Sequence, residues 1–201
     1  MSGFVETPAS KNSIANRRLI FGFGINDADY IIRKKTKRCP FYAVWHSMLR
    51  RCYSKYAHTK QNSYEGCSVC DKWFTFSTFK EWMIGQDWHG KQLDKDLLVN
   101  GNKVYSPSTC IFVTQEINKI TSHPWNINTK YPRGVYRAPR SVGFSARCRA
   151  NGKEKHIGTF DTQGEAHEAY KKFKYKYIAE IAEQQTEPLR SALLAYKIED
   201  D

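Results

Sequence analysis

The chain has 201 residues, 40% apolar and 14% aromatic, enough to bury a core in one or two modest domains. Its 32 Lys and Arg against 20 Asp and Glu give a formal net charge of +12, which suits a polyanionic partner because each neutralised phosphate releases condensed counterions. No apolar run approaches the ~20 residues of a membrane span, and the N-terminus lacks an uninterrupted apolar stretch of the signal-peptide kind. A soluble, cytoplasmic protein with no membrane partner is therefore expected.

Residues 1–32 are turn-rich and read as a loosely structured N-terminal arm, with a short strand at Leu19–Phe23. The basic run Arg33–Arg38 follows, either a solvated linker or a phosphate-contacting arm. From Arg33 to Lys60 there are nine basic residues and no acid. Tyr42, Trp45, Met48, Leu49 and Cys52 recur at helical spacing and predict a helix over Phe41–Tyr53, with Arg50 and Arg51 on its other face. A polar loop runs through Ser54–Gly66. Phe76, Phe79, Trp82 and Met83 predict a second amphipathic helix over Trp73–Trp88, capped by Thr75 or Ser77. Gln92–Val99 reads as a strand. Asn100-Gly101-Asn102 signals a turn, Val104-Tyr105 completes a hairpin, Cys110–Val113 is a further strand and Gln115–Thr121 a short helix. His123–Pro132 reads as a linker.

The six cysteines include the pair Cys67 and Cys70. One such pair without a matching second is a weak zinc signal; zinc is not expected, and the thiols read as small core residues. Trp45, Trp73, Trp82 and Trp88 read as core or interface aromatics.

The region after the linker has the clearest pattern. Gly134–Arg137, Phe144–Ala150 and Lys155–Phe160 read as three short strands, with Asn151-Gly152 a type I′ turn between the last two. Thr162 with Glu165 forms a capping box for a helix reaching about Glu183, with Ala166, Tyr170, Phe173, Tyr177 and Ile181 on one face. In the second strand Phe144, Ala146, Cys148 and Ala150 point one way, and Ser145, Arg147 and Arg149 the other. Small apolar side chains can pack on the helix, leaving the arginines on an open face able to lie in a major groove. Residues 184–201 are acid-rich and read as a solvated tail.

The string Gly134-Val135-Tyr136, Gly143 to Arg149, Ile157 to Thr162, Glu165-Ala166 and Ala169-Tyr170 resembles the plant ethylene-response-factor (APETALA-type) DNA-binding domain. The resemblance implies major-groove reading by the sheet. Its contact positions, with basic neighbours, fall on Arg133, Tyr136, Arg137, Phe144, Arg147, Arg149, Lys155 and His156. Phe144 and His156 stand where that family usually has tryptophans, and Arg147 where it has an acid.

Upstream, Leu93-Asp94-Lys95-Asp96, Asn100-Gly101-Asn102, Ser106 to Cys110 and Asn118 resemble the HNH (ββα-metal) nuclease motif. That resemblance implies Asp94 as a metal ligand, Asn102 as the residue pinning the loop and Asn118 as the ligand on the following helix, around Mg²⁺ or a similar divalent ion. In that chemistry the ion stabilises the phosphorane and leaving oxygen, and a neutral His takes a proton from water. Here Lys95, flanked by Asp94 and Asp96, occupies the His position. A lysine with a pKa near 10.4 is a poor base at neutral pH, and only His46, His89 or His123 could substitute through folding. The layout from Tyr42 onward is similar to bacteriophage proteins described as HNH endonucleases, mobile homing types among them.

The sequence thus predicts an α+β protein: an N-terminal arm (1–32), an HNH-like ββα-metal domain with flanking helices (33–128), a three-stranded antiparallel sheet packed on one helix (129–183) and a tail (184–201). The expected function is sequence-preferring binding of double-stranded DNA with HNH-type cleavage or nicking and no small-molecule cofactor. The alternatives are a regulator or inhibitor that keeps the nuclease scaffold without catalysis, and docking on an acidic host protein.

Overall fold

The computed structural model describes residues 4–55, 64–122, 130–138 and 142–198. The chain is mixed α+β and divides into two compact units, Met1–Phe112 and Val113–Asp201, the division falling some 10 residues before the linker expected from sequence. Among the described residues there are six α-helices, and none is long and apolar enough to cross a membrane.

The first unit is built on an aromatic core. Helix α1 (Lys11–Ala15) is capped by Ser10. The residues after it are not a loose arm. The Arg17 guanidinium donates to the carbonyls of Asn26, Ala28 and Tyr30, and Ala28 and Tyr30 are buried in the core. The expected strand at Leu19–Phe23 is a turn closed by an Ile20–Gly24 bridge. A Cβ on Gly24 would stand 2.4 Å from Leu49 and 2.9 Å from Trp45, so this segment lies directly on the next helix.

The basic run forms a hairpin, β1 (Arg33–Lys34) and β2 (Lys37–Arg38). Helix α2 (Pro40–Tyr53) begins on a proline, whose fixed φ suits the first helical turn. It buries the stripe Tyr42, Trp45, Met48, Leu49 and Cys52, and Trp45 Nε1 donates to the Trp73 carbonyl at 2.7 Å. Helix α3 (Phe76–Ile84) packs on it through Phe76, 5.3 Å from Tyr42 and 5.5 Å from Trp45 between ring centroids.

The predicted helix over Trp73–Trp88 is therefore shorter: residues Asp71–Phe74 form a 3₁₀ turn and Gly85 ends the helix. Thr75 sits at the cap position without a side-chain bond. Asp27 caps instead, accepting from the Ser77 amide at 2.9 Å and the Ser77 hydroxyl at 2.5 Å. A cap 50 residues away leaves no local signature.

The hairpin predicted between Gln92–Val99 and Val104-Tyr105 does not form. Strand β4 is only Gln92–Asp94 and pairs with β6 (Ile111–Val113). Strand β5 (Val104–Tyr105) runs parallel to β3 (Ser68–Val69), with Val69 opposite Tyr105. Burial chooses these partners: Val69 and Tyr105 are both in the core, as are Leu93 and Phe112.

The second unit holds helix α4 (Gln115–Thr121), capped by the Thr114 hydroxyl, then strands β7 (Val135–Arg137), β8 (Phe144–Ala150) and β9 (Lys153–Phe160) in that order, antiparallel throughout. Asn151 and Gly152 have φ of 52° and 72°, the two left-handed residues of a type I′ turn. Helix α5 (Gln163–Ala182) starts on the Thr162–Glu165 capping box.

Gly134, at φ +77°, lies so close to Tyr170 that a Cβ would meet the ring at 2.2 Å. This glycine is where sheet and helix touch. The expected tail is in fact docked: helix α6 (Leu189–Leu194) buries Leu189 and Leu193, Ile198 joins the core, and its amide donates to the Tyr175 hydroxyl at 3.0 Å.

Candidate functional site: the sheet face and the Asp94 loop

Strand β8 separates two faces. Ala146, Cys148 and Ala150 are buried, and Ala146 and Cys148 form one core with Ala166 and Tyr170 of α5. On the opposite face Arg149 is exposed, Arg147 half-exposed and Tyr136 exposed. Register places Ser145 beside Tyr136, Arg147 opposite His156 and Arg149 opposite Glu154. A bulge between Ala146 and Arg147 keeps His156 on the arginine side while Ile157 joins the core.

Arg147 is held in place. Its Nε donates to the Ser145 hydroxyl at 3.3 Å, its Nη1 meets Glu154 at 3.3 Å, and its guanidinium lies 5.5 Å from the Tyr136 ring centroid. Ser145 is only 2% exposed and also bonds His156 Nδ1 at 3.0 Å. Arg149 is tethered only near its tip, Nη2 donating to the Gly152 carbonyl at 3.0 Å.

The structure thus brings Tyr136, Arg147, Arg149 and His156 onto one face. It places the other four candidates elsewhere. Phe144 packs with the core and contacts Tyr131 edge-on, and the Arg137 guanidinium lies over Phe144 at 5.3 Å. Lys155 pairs with Cys148 and its ammonium sits 6.0 Å from the Phe173 ring of α5. Arg133 donates to the Ser122 carbonyl. Sequence reasoning missed Glu154, an acid on the arginine face that strand parity could have found, and the bond by which Ser145, already placed on that face, locks Arg147.

In the first unit Asp94, Lys95, Asp96 and Asn102 do come together. Asn102 clamps the loop: Nδ2 donates to the carbonyls of Lys95 at 2.6 Å and Val104 at 2.8 Å, and Oδ1 accepts from the Val104 amide at 3.2 Å. Asp94 Oδ1 accepts from the amides of Asp96 at 3.0 Å and Leu97 at 2.8 Å. Burial, reinforced by the Asp96 charge, pushes the Asp94 carboxyl up to about 6.

Lys95 is 7% exposed, its ammonium bonded to Asp96 Oδ2 at 3.0 Å and the Asn102 carbonyl at 3.2 Å. Burial alone would lower its pKa, but the Asp96 hydrogen bond and charge, with Cys67 and Asp94, outweigh it and the net displacement is upward. Lys95 is therefore an ammonium and cannot accept a proton from water. Arg51, which the sequence placed on the outer face of α2, turns inward. It lies 5.4 Å from the Tyr64 ring, bonds the Tyr105 hydroxyl at 3.5 Å and feels the Asp94 charge. Its position three residues after buried Met48 was the available signal.

Asn118, the second expected ligand, belongs to α4 in the other unit. Among the described residues no three His, Cys, Asp or Glu side chains form a metal-holding group. The donors gathered around Asp94 do not fit a divalent ion, because the Lys95 ammonium already neutralises Asp96 and Arg51 adds a second positive charge nearby. Of the substitute bases, His89 stacks on Trp88 at 3.8 Å and His46 lies between Phe21 and Tyr42; His123 lies outside the described residues. Of the CxxC thiols, Cys67 is buried, which raises its pKa, and Cys70 is half-buried.

No family model, no curated protein and no solved structure matches this chain.

Proposed function

We propose that this protein binds double-stranded DNA through the open face of β7–β8–β9, with Arg147 and Arg149 addressing base edges in the major groove. One observation carries the reading: a single strand divides a buried, helix-packed side at Ala146 and Cys148 from a side presenting Arg147 and Arg149 beside Tyr136 and His156. Arginine on a twisted sheet suits bidentate contact with guanine, and the chain's net charge of +12 supports phosphate contacts around it.

The test is binding by fluorescence anisotropy to duplexes selected from a random pool. Arg147→Ala and Arg149→Ala should each cost ~1–3 kcal/mol and relax preference at one or two base positions. Unchanged affinity in both variants would remove the sheet from the interface.

Cleavage is a second reading, that of an HNH-type endonuclease or nickase, against which the positive charges beside Asp94 count because they oppose a divalent ion there. The Asn102 clamp favours it, since it joins the loop carbonyls as the motif implies. The Lys95 ammonium favours the alternative, a DNA-binding regulator or inhibitor that keeps the scaffold without catalysis. Supercoiled plasmid with Mg²⁺ or Mn²⁺ separates them. Nicking that disappears in Asp94→Ala and in Asn118→Ala supports the nuclease. Binding without nicking in either metal supports the regulator. Docking on an acidic host protein would instead show as co-purification that survives nuclease treatment.

A further inference from the structure

The basic run Arg33–Arg38 is a built element, not a linker. Arg33 faces Arg38 and Lys34 faces Lys37 across the β1–β2 ladder, and like charges directly opposite one another weaken a strand pair. Lys35 holds the turn at φ 54°, a left-handed conformation that Gly, Asn or Asp adopts at lower cost. All of these residues are exposed. Among the described residues Arg33, Lys34, Lys35 and Arg38 make no ion pair.

The hairpin is nevertheless firmly seated. The amide of fully buried Cys39 donates to the Ile32 carbonyl at 2.9 Å and closes its base. The Arg38 guanidinium lies 5.1 Å from the Tyr42 ring centroid. The positive surface continues onto α2 with exposed Arg50. His46 lies within reach of both guanidiniums: burial lowers its pKa, and Arg38 and Arg50 lower it further. No Asp or Glu occurs in the sequence between Tyr30 and Tyr64.

Like charges are tolerated in the ladder and around His46, and a lysine in a left-handed turn, as expected of a surface completed by a negatively charged partner. The six residues from Arg33 to Arg38 hold no ring on which an unpaired base could stack and no apolar side chain to enter a bilayer. We infer that the β1–β2 hairpin, with Arg50, is a second duplex-DNA contact that grips backbone phosphates and reads no bases. This rests on the DNA-binding reading above but uses different residues, in the other unit.

The test is the salt dependence of duplex binding by the full chain carrying Lys34→Ala, Lys35→Gly and Lys37→Ala together. The slope of log K against log salt should fall by about 2–3, one step per lost phosphate contact. Preferred and unrelated duplexes should weaken by the same factor. Thermal unfolding should stay level or rise, because glycine relieves the left-handed turn residue. An unchanged slope, or a loss confined to one sequence, overturns the inference.

Arg147→Ala with Arg149→Ala, measured in parallel, keeps the two readings apart. If that pair weakens binding and the hairpin variant leaves the slope intact, the sheet reading survives and the hairpin inference fails. If the hairpin variant lowers the slope and the arginine pair has no effect, the hairpin inference survives alone. Binding of the native protein to phosphatidylserine vesicles but to no duplex overturns both.

Discussion

The C-terminal sheet and the Asp94 loop each carry a motif-like string, yet they fold with different fidelity to it. In the sheet each strand pairs with its sequence neighbour, and the turn, the cap and the alternation are all local. In the loop β5 pairs with β3, some 35 residues upstream, and β4 pairs with β6. Local pairing can be read from periodicity and turn residues; non-local pairing is decided by which buried side chains meet. The same contrast holds for the charges. Arg149 is exposed where alternation puts it, whereas Lys95 is taken up by Asp96 and the Asn102 carbonyl.

The comparison can be broken most sharply at Gly134. Gly134→Ala would drive a Cβ into the Tyr170 ring from a left-handed backbone. It should destabilise the second unit by roughly 3 kcal/mol, combining overpacking with the backbone cost, and calorimetry should show the loss. A fall below about 1 kcal/mol would mean that the sheet does not depend on this close approach.

Asn102→Ala probes the loop. It removes three hydrogen bonds and leaves the Lys95 and Val104 carbonyls without that partner. A loss of about 2–3 kcal/mol in urea denaturation is expected. An effect near zero would make the clamp incidental and withdraw its support for the nuclease motif.

Lys174 should move stability the other way. It is 2% exposed, its ammonium bonded to the Tyr196 hydroxyl at 3.4 Å among tyrosine rings. Burial, then the nearby Arg133 charge, lowers its pKa to about 7, with Cys148 opposing. A lysine whose folded pKa lies below its unfolded value of about 10.4 holds its proton less tightly when folded, so stability rises as pH climbs from about 7 toward 10. Lys174→Met should stabilise the protein by on the order of 2 kcal/mol at pH 7 and flatten that rise. A lower melting temperature at pH 7 would contradict it.

Asp94 gives the opposite pH dependence. Its carboxyl, pushed up to about 6, holds a proton more tightly folded than unfolded, so stability falls as pH rises from about 4 through about 6. Asp94→Asn should abolish that fall in melting curves, while the amide oxygen still accepts from Asp96 and Leu97.

The smallest expected effect sharpens the sheet. Glu154 pairs with Arg147 on the open face, and such exposed pairs are worth about 1 kcal/mol or less. Glu154→Gln should therefore raise duplex affinity only several-fold, and weaker binding would show that Glu154 itself contacts the DNA.

The amino-acid sequence determined the three-stranded sheet, the Asn151-Gly152 turn, the Thr162 cap and the sides of β8, because adjacent residues carry all of that information. It also brought Asp94, Lys95, Asp96 and Asn102 to notice as one group. Only the tertiary structure decided that Asp27 caps α3, that Ala28, Tyr30 and Ile198 belong to cores, that Arg51 turns inward, and that Arg133, Arg137, Phe144 and Lys155 leave the open face. Each depends on a partner distant in sequence, and burial sets its geometry where spacing cannot. The basic run shows both at once: its charge is written in the sequence, and its form as an anchored hairpin of facing cations comes from the Cys39 and Tyr42 packing beneath it.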